Sequence, residues 1–303
     1  MKTILTLAAL ASLSVPITAC GGALATPNVT STSATGVLAT ADTTQLPVGD
    51  GYVATTPVTG AVDACATTFR GGGASAQNLP WQNADGTWNL TTKLAVSGGV
   101  AWPTHTFTAT LSGSNRIITG NDLPSTQTGT FPIAITDPAY AYDRNPNSIL
   151  EQTIAVTLPA NPTTAAAPSC TPMGPIGISL NGALIFNALD AAGRDAGFHE
   201  VQDSCHGHPD GSGTYHYHML PTCISDSSSG HSVLMGYGLD GYGIYGPNGE
   251  NGQPLTDADL DACHGHTHAI TWDGQTVVMY HYHWTSEYPY SVGCFHGAPV
   301  ALQ

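Results

Sequence analysis

Two stretches of this chain carry the same arrangement of residues that can hold a metal. Residues 203–208 read D-x-C-H-G-H, and they are followed by Tyr215-His216-Tyr217-His218 and by Cys223. Residues 261–266 repeat D-x-C-H-G-H and are followed by Tyr280-His281-Tyr282-His283 and Cys294. Eight of the 13 histidines occupy these matched positions: His206, His208, His216, His218, His264, His266, His281 and His283. His268 extends the second set. In an extended strand successive side chains point to opposite faces. The histidines of each Y-H-Y-H therefore share one face and the tyrosines the other, and two imidazoles two residues apart make a bidentate clip. The glycine of H-G-H is expected to allow a tight backbone near an ion. Pairing of the copies about a pseudo-twofold axis would gather His216, His218, His281 and His283 into one site, with His208 and His266 completing it.

Imidazole ligands suit zinc, copper, nickel and iron. Once the thiols are taken up in disulfides, a histidine or histidine-plus-carboxylate site in an exported chain favours copper or zinc, with copper ahead on affinity order. Glu200, Asp203 and Asp210 adjoin the first cluster and Asp261 the second, as ligands or as groups that orient imidazoles. Three histidines and an open position would also make a hydrolytic zinc site, with Glu200 or Asp203 as the candidate base. Copper beside Tyr215, Tyr217, Tyr280 or Tyr282 would point to oxidation chemistry. A structural surface module braced by metal is the third possibility. His264-Gly265-His266-Thr267-His268 lacks the aspartate of the H-x-H-x-D-H pattern, and the chain has no G-x-S-x-G and no C-x-x-C. His105 reads as an ordinary structural histidine, whereas His199 and His231 flank the clusters and are candidates for supporting roles.

The elements that must position these groups read as β. Gly is 35 and Pro 21, charged residues are only 9%, and helix signals are few, which suits a turn-rich β domain with long loops. Strands are expected over residues 88–96, 105–111 and 153–158, and a single N-capped turn over 256–261. The N-terminus begins Met1-Lys2-Thr3 and runs apolar from Ile4 to Ile17, too short to span a bilayer. With Ile17-Thr18-Ala19-Cys20-Gly21 it reads as a signal peptide over 1–19 ending at a lipobox. Lipidation of Cys20 would hold the protein on the periplasmic or extracellular side of a bacterial membrane, touching it through that lipid alone. Residues 20–60, poor in charge, are expected to form a flexible linker, and 61–303 the β-rich domain.

Apart from Cys20, six cysteines remain, and an even number in an exported chain implies disulfides. Pairing Cys205 with Cys223 and Cys263 with Cys294 would clamp each ligand loop and leave Cys65 with Cys170. A cross-repeat Cys205–Cys263 bond fits the pseudosymmetry equally well. A net charge of −15, from six Lys plus Arg against 21 Asp plus Glu, argues against nucleic acid as a partner.

The segment C-H-G-H-P-D-G-S-G-T-Y-H-Y-H-M-L-P-T-C around Tyr215–His218 resembles the signature of the YHYH domain family. The resemblance extends to residues 177–182, 193–196, 240–247 and 288–295, and upstream to 129–132 and 145–147, covering roughly 100–298. It implies an exported, metal-associated domain and no particular reaction. One departure is Leu123-Pro124-Ser125-Thr126, where the pattern leads one to expect a histidine after the proline.

Overall fold

The computed structural model describes residues 42–302, so the expected signal peptide and the lipidation expected at Cys20 lie outside the described residues. Among those described, no helix is long and apolar enough to cross a membrane. The fold is mainly β. In chain order its strands are β1 (Val53–Ala54), β2 (Val62–Asp63), β3 (Phe107–Ser112), β4 (Asn115–Gly120), β5 (Ile154–Pro159), β6 (Thr164–Ser169), β7 (Pro175–Ser179) and β8 (Leu184–Phe186). They continue with β9 (Gly207–Pro209), β10 (Tyr215–Tyr217), β11 (Leu234–Gly238), β12 (Gly243–Tyr245), β13 (Gly265–Trp272), β14 (Gln275–His283) and β15 (Phe295–Gly297). The one α-helix among the described residues, α1 (Ala196–His199), is a single turn capped by the Asp195 carboxylate on Phe198 N–H.

Eight strands form one sheet in the order β13-β14-β12-β11-β7-β8-β10-β9. That order is palindromic about its centre. β7 and β11 pair antiparallel in the middle, each then pairs antiparallel with the next strand in sequence (β8, β12), and each of those pairs parallel with a YHYH strand (β10, β14). Each YHYH strand finally pairs antiparallel with the strand carrying H-G-H, β9 or β13. The repeat is therefore longer than its histidines and spans about 175–223 and 234–294.

A three-stranded sheet, β3-β4-β5, is clamped to the β13–β14 hairpin by Arg116. Its buried guanidinium pairs with Asp273 at 2.8 Å and lies over the rings of Tyr237 and Trp272. Trp272 Nε1 also donates to Ala160 O at 2.9 Å. One apolar core fills the space between these layers, from Ile118 and Leu158 through Ile178, Ile185 and Ile244 to Trp272 and Trp284. A second, around Trp81, Trp88, Phe198, Val201 and Tyr290, seats α1 and the loop behind the first histidine cluster.

Three expectations need correction. The linker expected over 20–60 does not extend through its described part. Leu46 is buried against Trp88, the Gly49 N–H donates to the Asp195 carboxylate, and Val53 pairs with Val62. Low charge marked a packed segment there rather than a solvated one. Residues 88–96 form a 3-10 turn at Leu90–Thr92, capped by Asn89, with isolated bridges at Trp88 and Val96 instead of a strand. A side chain that accepts from the backbone two residues on competes with ladder formation. The two copies do pair about a pseudo-twofold axis, but through β7 and β11 rather than through their histidine strands, which lie toward opposite ends of the sheet. Of the other expected elements, β3 and β5 occupy the strand positions expected over 105–111 and 153–158, and Thr256 starts the short turn through a capping box with Asp259.

The disulfides are Cys65–Cys170, Cys205–Cys223 and Cys263–Cys294. The second and third tie each H-G-H turn to the segment beyond its YHYH strand, as the local pairing required.

Candidate metal centres

Each YHYH strand alternates as its sequence dictates, and its tyrosines fix the register of the histidines. Tyr215 Oη donates to Asp203 at 2.8 Å, and Tyr280 Oη to Asp261 at 2.9 Å. Tyr217 meets Asn181 at 2.7 Å, while Tyr282 donates to Asp240 at 2.5 Å. The same aspartates hold the H-G-H turns: Asp203 accepts from the N–H groups of Cys205 and Gly207, Asp261 from those of Cys263 and Gly265. Asp203 is thus committed to the turn and the tyrosine and does not face the histidines, which removes it as a ligand or base; Asp261 is committed in the same way. Asp210 caps its own turn through the N–H groups of Ser212 and Thr214.

The glycines serve a different end from the one expected. A Cβ on Gly207 would stand 2.3 Å from the Tyr215 ring, and one on Gly265 2.4 Å from the Tyr280 ring. They make room for tyrosine, not for an ion. The sharp turn is taken by the preceding histidines, at φ 65° for His206 and 72° for His264. That conformation swings both residues out of the clusters. His206 Nδ1 bonds Leu220 O at 2.9 Å; His264 Nε2 bonds Thr285 Oγ1 at 2.9 Å, with its Nδ1 3.5 Å from Asp257.

The remaining candidates form two separate groups, in each of which the ligand atoms lie within 4.8 Å of one another: His208, His216 and His218; and His231, His266, His268, His281 and His283. Four strands separate β10 from β14, which at strand spacing is roughly 24 Å. The single shared site expected from His216, His218, His281 and His283 therefore does not exist. His231, expected to play a supporting role, has its Nε2 3.1 Å from that of His281 and 3.2 Å from that of His283. It enters from the loop before β11, outside the repeated motif, where spacing gave no signal. His105, His199 and His296 lie elsewhere, on Leu123 O, Asp50 and the Tyr280 ring respectively.

Hydrogen bonding fixes the chemistry of the rings. A carbonyl only accepts, so a ring nitrogen bonded to one carries the proton and leaves the other nitrogen with a bare lone pair. His216 Nδ1 faces Thr214 O at 3.0 Å, and His218 Nδ1 faces Asn187 O at 2.5 Å. Their Nε2 atoms then confront each other at 3.0 Å, two lone pairs with no proton between them. The second group repeats this. His281 gives its Nδ1 proton to Met279 O, His283 to Gly246 O, His231 to Ser232 O and His268 to Ala269 O. Their Nε2 atoms converge with that of His266 at spacings of 3.0–3.2 Å. Both ring nitrogens of His208 are buried without a hydrogen-bond partner. Converging lone pairs repel unless a cation lies between them, and an orphaned buried imidazole costs free energy.

Burial favours the neutral form, the one that ligates, at His208, His216, His218, His266 and His283. It pushes His216 and His266 down to about 4 and His218 to about 3. His208 and His283 are held well below the ordinary value by burial and by neighbouring imidazoles. Glu200 Oε2 lies 3.6 Å from His208 Nε2 and 3.7 Å from His218 Nε2. Burial, then repulsion from Asp190 and Asp143, raises its carboxyl to about 8, so a cation among the histidines would draw off its proton. The first group and Glu200 line a cavity of about 970 Å³. The second lies at the sheet edge, with His231, His266 and His268 half-buried.

No curated protein and no solved structure matches this chain. Residues 155–257 match the family model described as YHYH protein. The match runs from β5 through the whole first histidine copy to β12, and stops before Cys263, so the second cluster's ligand strands are tied to it by the internal repeat. Over that stretch, which contains Tyr215-His216-Tyr217-His218 itself, the chain carries the domain of the YHYH family.

Proposed function

We propose that this is an exported metal-binding protein with two transition-metal centres, anchored in the bacterial envelope through a lipid on Cys20. The observation that carries the reading is the convergence of Nε2 lone pairs whose tautomers are fixed by backbone carbonyls, in two places. The five-imidazole centre suits copper, which prefers nitrogen-rich, five-coordinate or tetragonal surroundings; the three-histidine centre beside a carboxylate also suits zinc. The test is elemental analysis of the full chain purified from its native host and of chain reconstituted with copper and zinc. About two equivalents bound per chain support the reading, and a chain that emerges and stays metal-free refutes it. Fractionation of Cys20→Ser checks the anchor: the variant should leave the membrane fraction, and its retention there after cleavage sinks the lipid assignment.

One observation favours a catalytic role for the first centre. Its three histidines and Glu200 open on a cavity rather than on packed side chains, as in metal sites that keep a position for substrate. A hydrolase and oxidase screen with and without chelator tests this reading, which fails if no chelator-sensitive turnover appears.

A further inference from the structure

Among the described residues, the cavity at the first centre is the one place where this acidic chain concentrates free positive charge. The whole sequence has six Lys plus Arg against 21 Asp plus Glu, and five of the six lie in the described residues. Arg116 is buried on Asp273, far along the sheet. Arg194 is held by Asp190 and by Ala74 O. Lys93 is half-buried and donates to Gly197 O and Gln202 Oε1. Arg70 and Arg144 remain. Both line the cavity, both are exposed, and neither makes an ion pair with a described residue. Arg144 rests over the Tyr140 ring, 5.4 Å from its centroid.

The acidic side chains that share the cavity do not cancel them. Asp190 is paired with Arg194, Asp210 caps its turn, and Asp143 accepts from the N–H groups of Val201 and Asn145. Glu200 is turned to the histidines. A volume of about 970 Å³ lies at the upper end for small-molecule sites.

We infer that the first centre binds a small oxyanion, a carboxylate or a phosphate, drawn in by Arg70 and Arg144 and completing the coordination of the metal held by His208, His216 and His218. This rests on the metal reading above. Planar guanidinium groups match carboxylate and phosphate geometry, and the bound cation supplies the remaining charge.

The full chain loaded with cobalt(II), whose visible spectrum reports its coordination, is titrated separately with succinate and with inorganic phosphate. The expected result is a saturable spectral change with at least one of them, and which one responds identifies the group. Arg70→Ala/Arg144→Ala, two exposed substitutions, should keep its cobalt and need at least about tenfold more anion for each arginine removed. His216→Ala/His218→Ala should abolish the response. The proposal is overturned if cobalt is retained but no saturable change occurs, or if the double arginine variant responds at wild-type concentrations. A wild-type chain that retains no cobalt overturns the metal reading itself, and this proposal with it.

Discussion

The cluster on β9 and β10 holds three imidazoles and looks into a cavity; the cluster on β13 and β14, with the loop before β11, holds five and looks out from the sheet edge. Their frames make the same contacts at corresponding positions. Asn187 O and Gly246 O receive the second YHYH histidine, Thr214 O and Met279 O the first, and Asp203 and Asp261 fasten the outer tyrosine to the turn. The difference comes from few positions. Where the first copy has Asp210 after H-G-H-P, the second has His268 after H-G-H-T, and His231 enters from outside the motif. Where the second copy has open edge, the first has α1 delivering Glu200. The lesson is that frame and ligand set are separable: one set of turns and tyrosines presents two coordination environments.

The sharpest way to break this comparison is to empty one centre at a time. His216→Ala/His218→Ala should reduce bound metal from about two equivalents to about one, with His281→Ala/His283→Ala doing the same from the other side. Elemental analysis of both variants decides it, and loss of all metal from either would mean that the centres depend on each other. Thermal unfolding should show the loss as well, since an ion bound only by the folded chain stabilises it by about 4 kcal/mol at a thousand times its dissociation constant.

Acid should act on both centres through folding. Three of the cluster histidines have folded values below the ordinary one, about 4 for His216 and His266 and about 3 for His218, against about 6.5 when unfolded. Between those values the unfolded chain binds more protons, so stability of the metal-free protein falls as pH drops from about 6.5 toward 4. Those three rings stay neutral over most of that window. Metal release should therefore track unfolding, followed by circular dichroism and metal content on the same samples. Release well above the unfolding midpoint would contradict the burial of these rings.

Gly207→Ala and Gly265→Ala sharpen the claim that the two frames are equal. Each places a methyl into a buried tyrosine ring, and each should cost about 1–3 kcal/mol in urea unfolding. A pair of values differing by more than that range, or both near zero, would show that the frames are not equivalent. The smallest effect is expected at His105, whose Nδ1 bonds Leu123 O at 2.6 Å. His105→Ala should cost about 1 kcal/mol and leave the metal content of both centres unchanged.

Much of this was legible in the sequence because the repeat and the strand period are local. The alternation of Tyr215–His218 follows from spacing and the mainly β class from composition, whereas spacing left the local disulfides level with a cross-repeat Cys205–Cys263 bond. The single shared site did not follow, because a repeated motif says that two units are alike, not which of their edges meet. His206 and His264 were misjudged as ligands because identical residue types two positions apart hide opposite backbone conformations. Glu200 and Asp203 were singled out together as acids near H-G-H, and only Glu200 faces the histidines. What separates them is a hydrogen-bonding tyrosine on the far face of β10.

The palindromic order of the large sheet also bears on how such a protein can change. Two like halves meeting across β7 and β11 have the arrangement of an isologous dimer. Were they separate identical subunits, any substitution would appear in both pockets at once, and a histidine gained in one would be forced on the other. Joined in a single polypeptide, the halves are released from that symmetry. One can acquire imidazoles while its twin acquires a carboxylate and a chamber, each alteration being tested by itself.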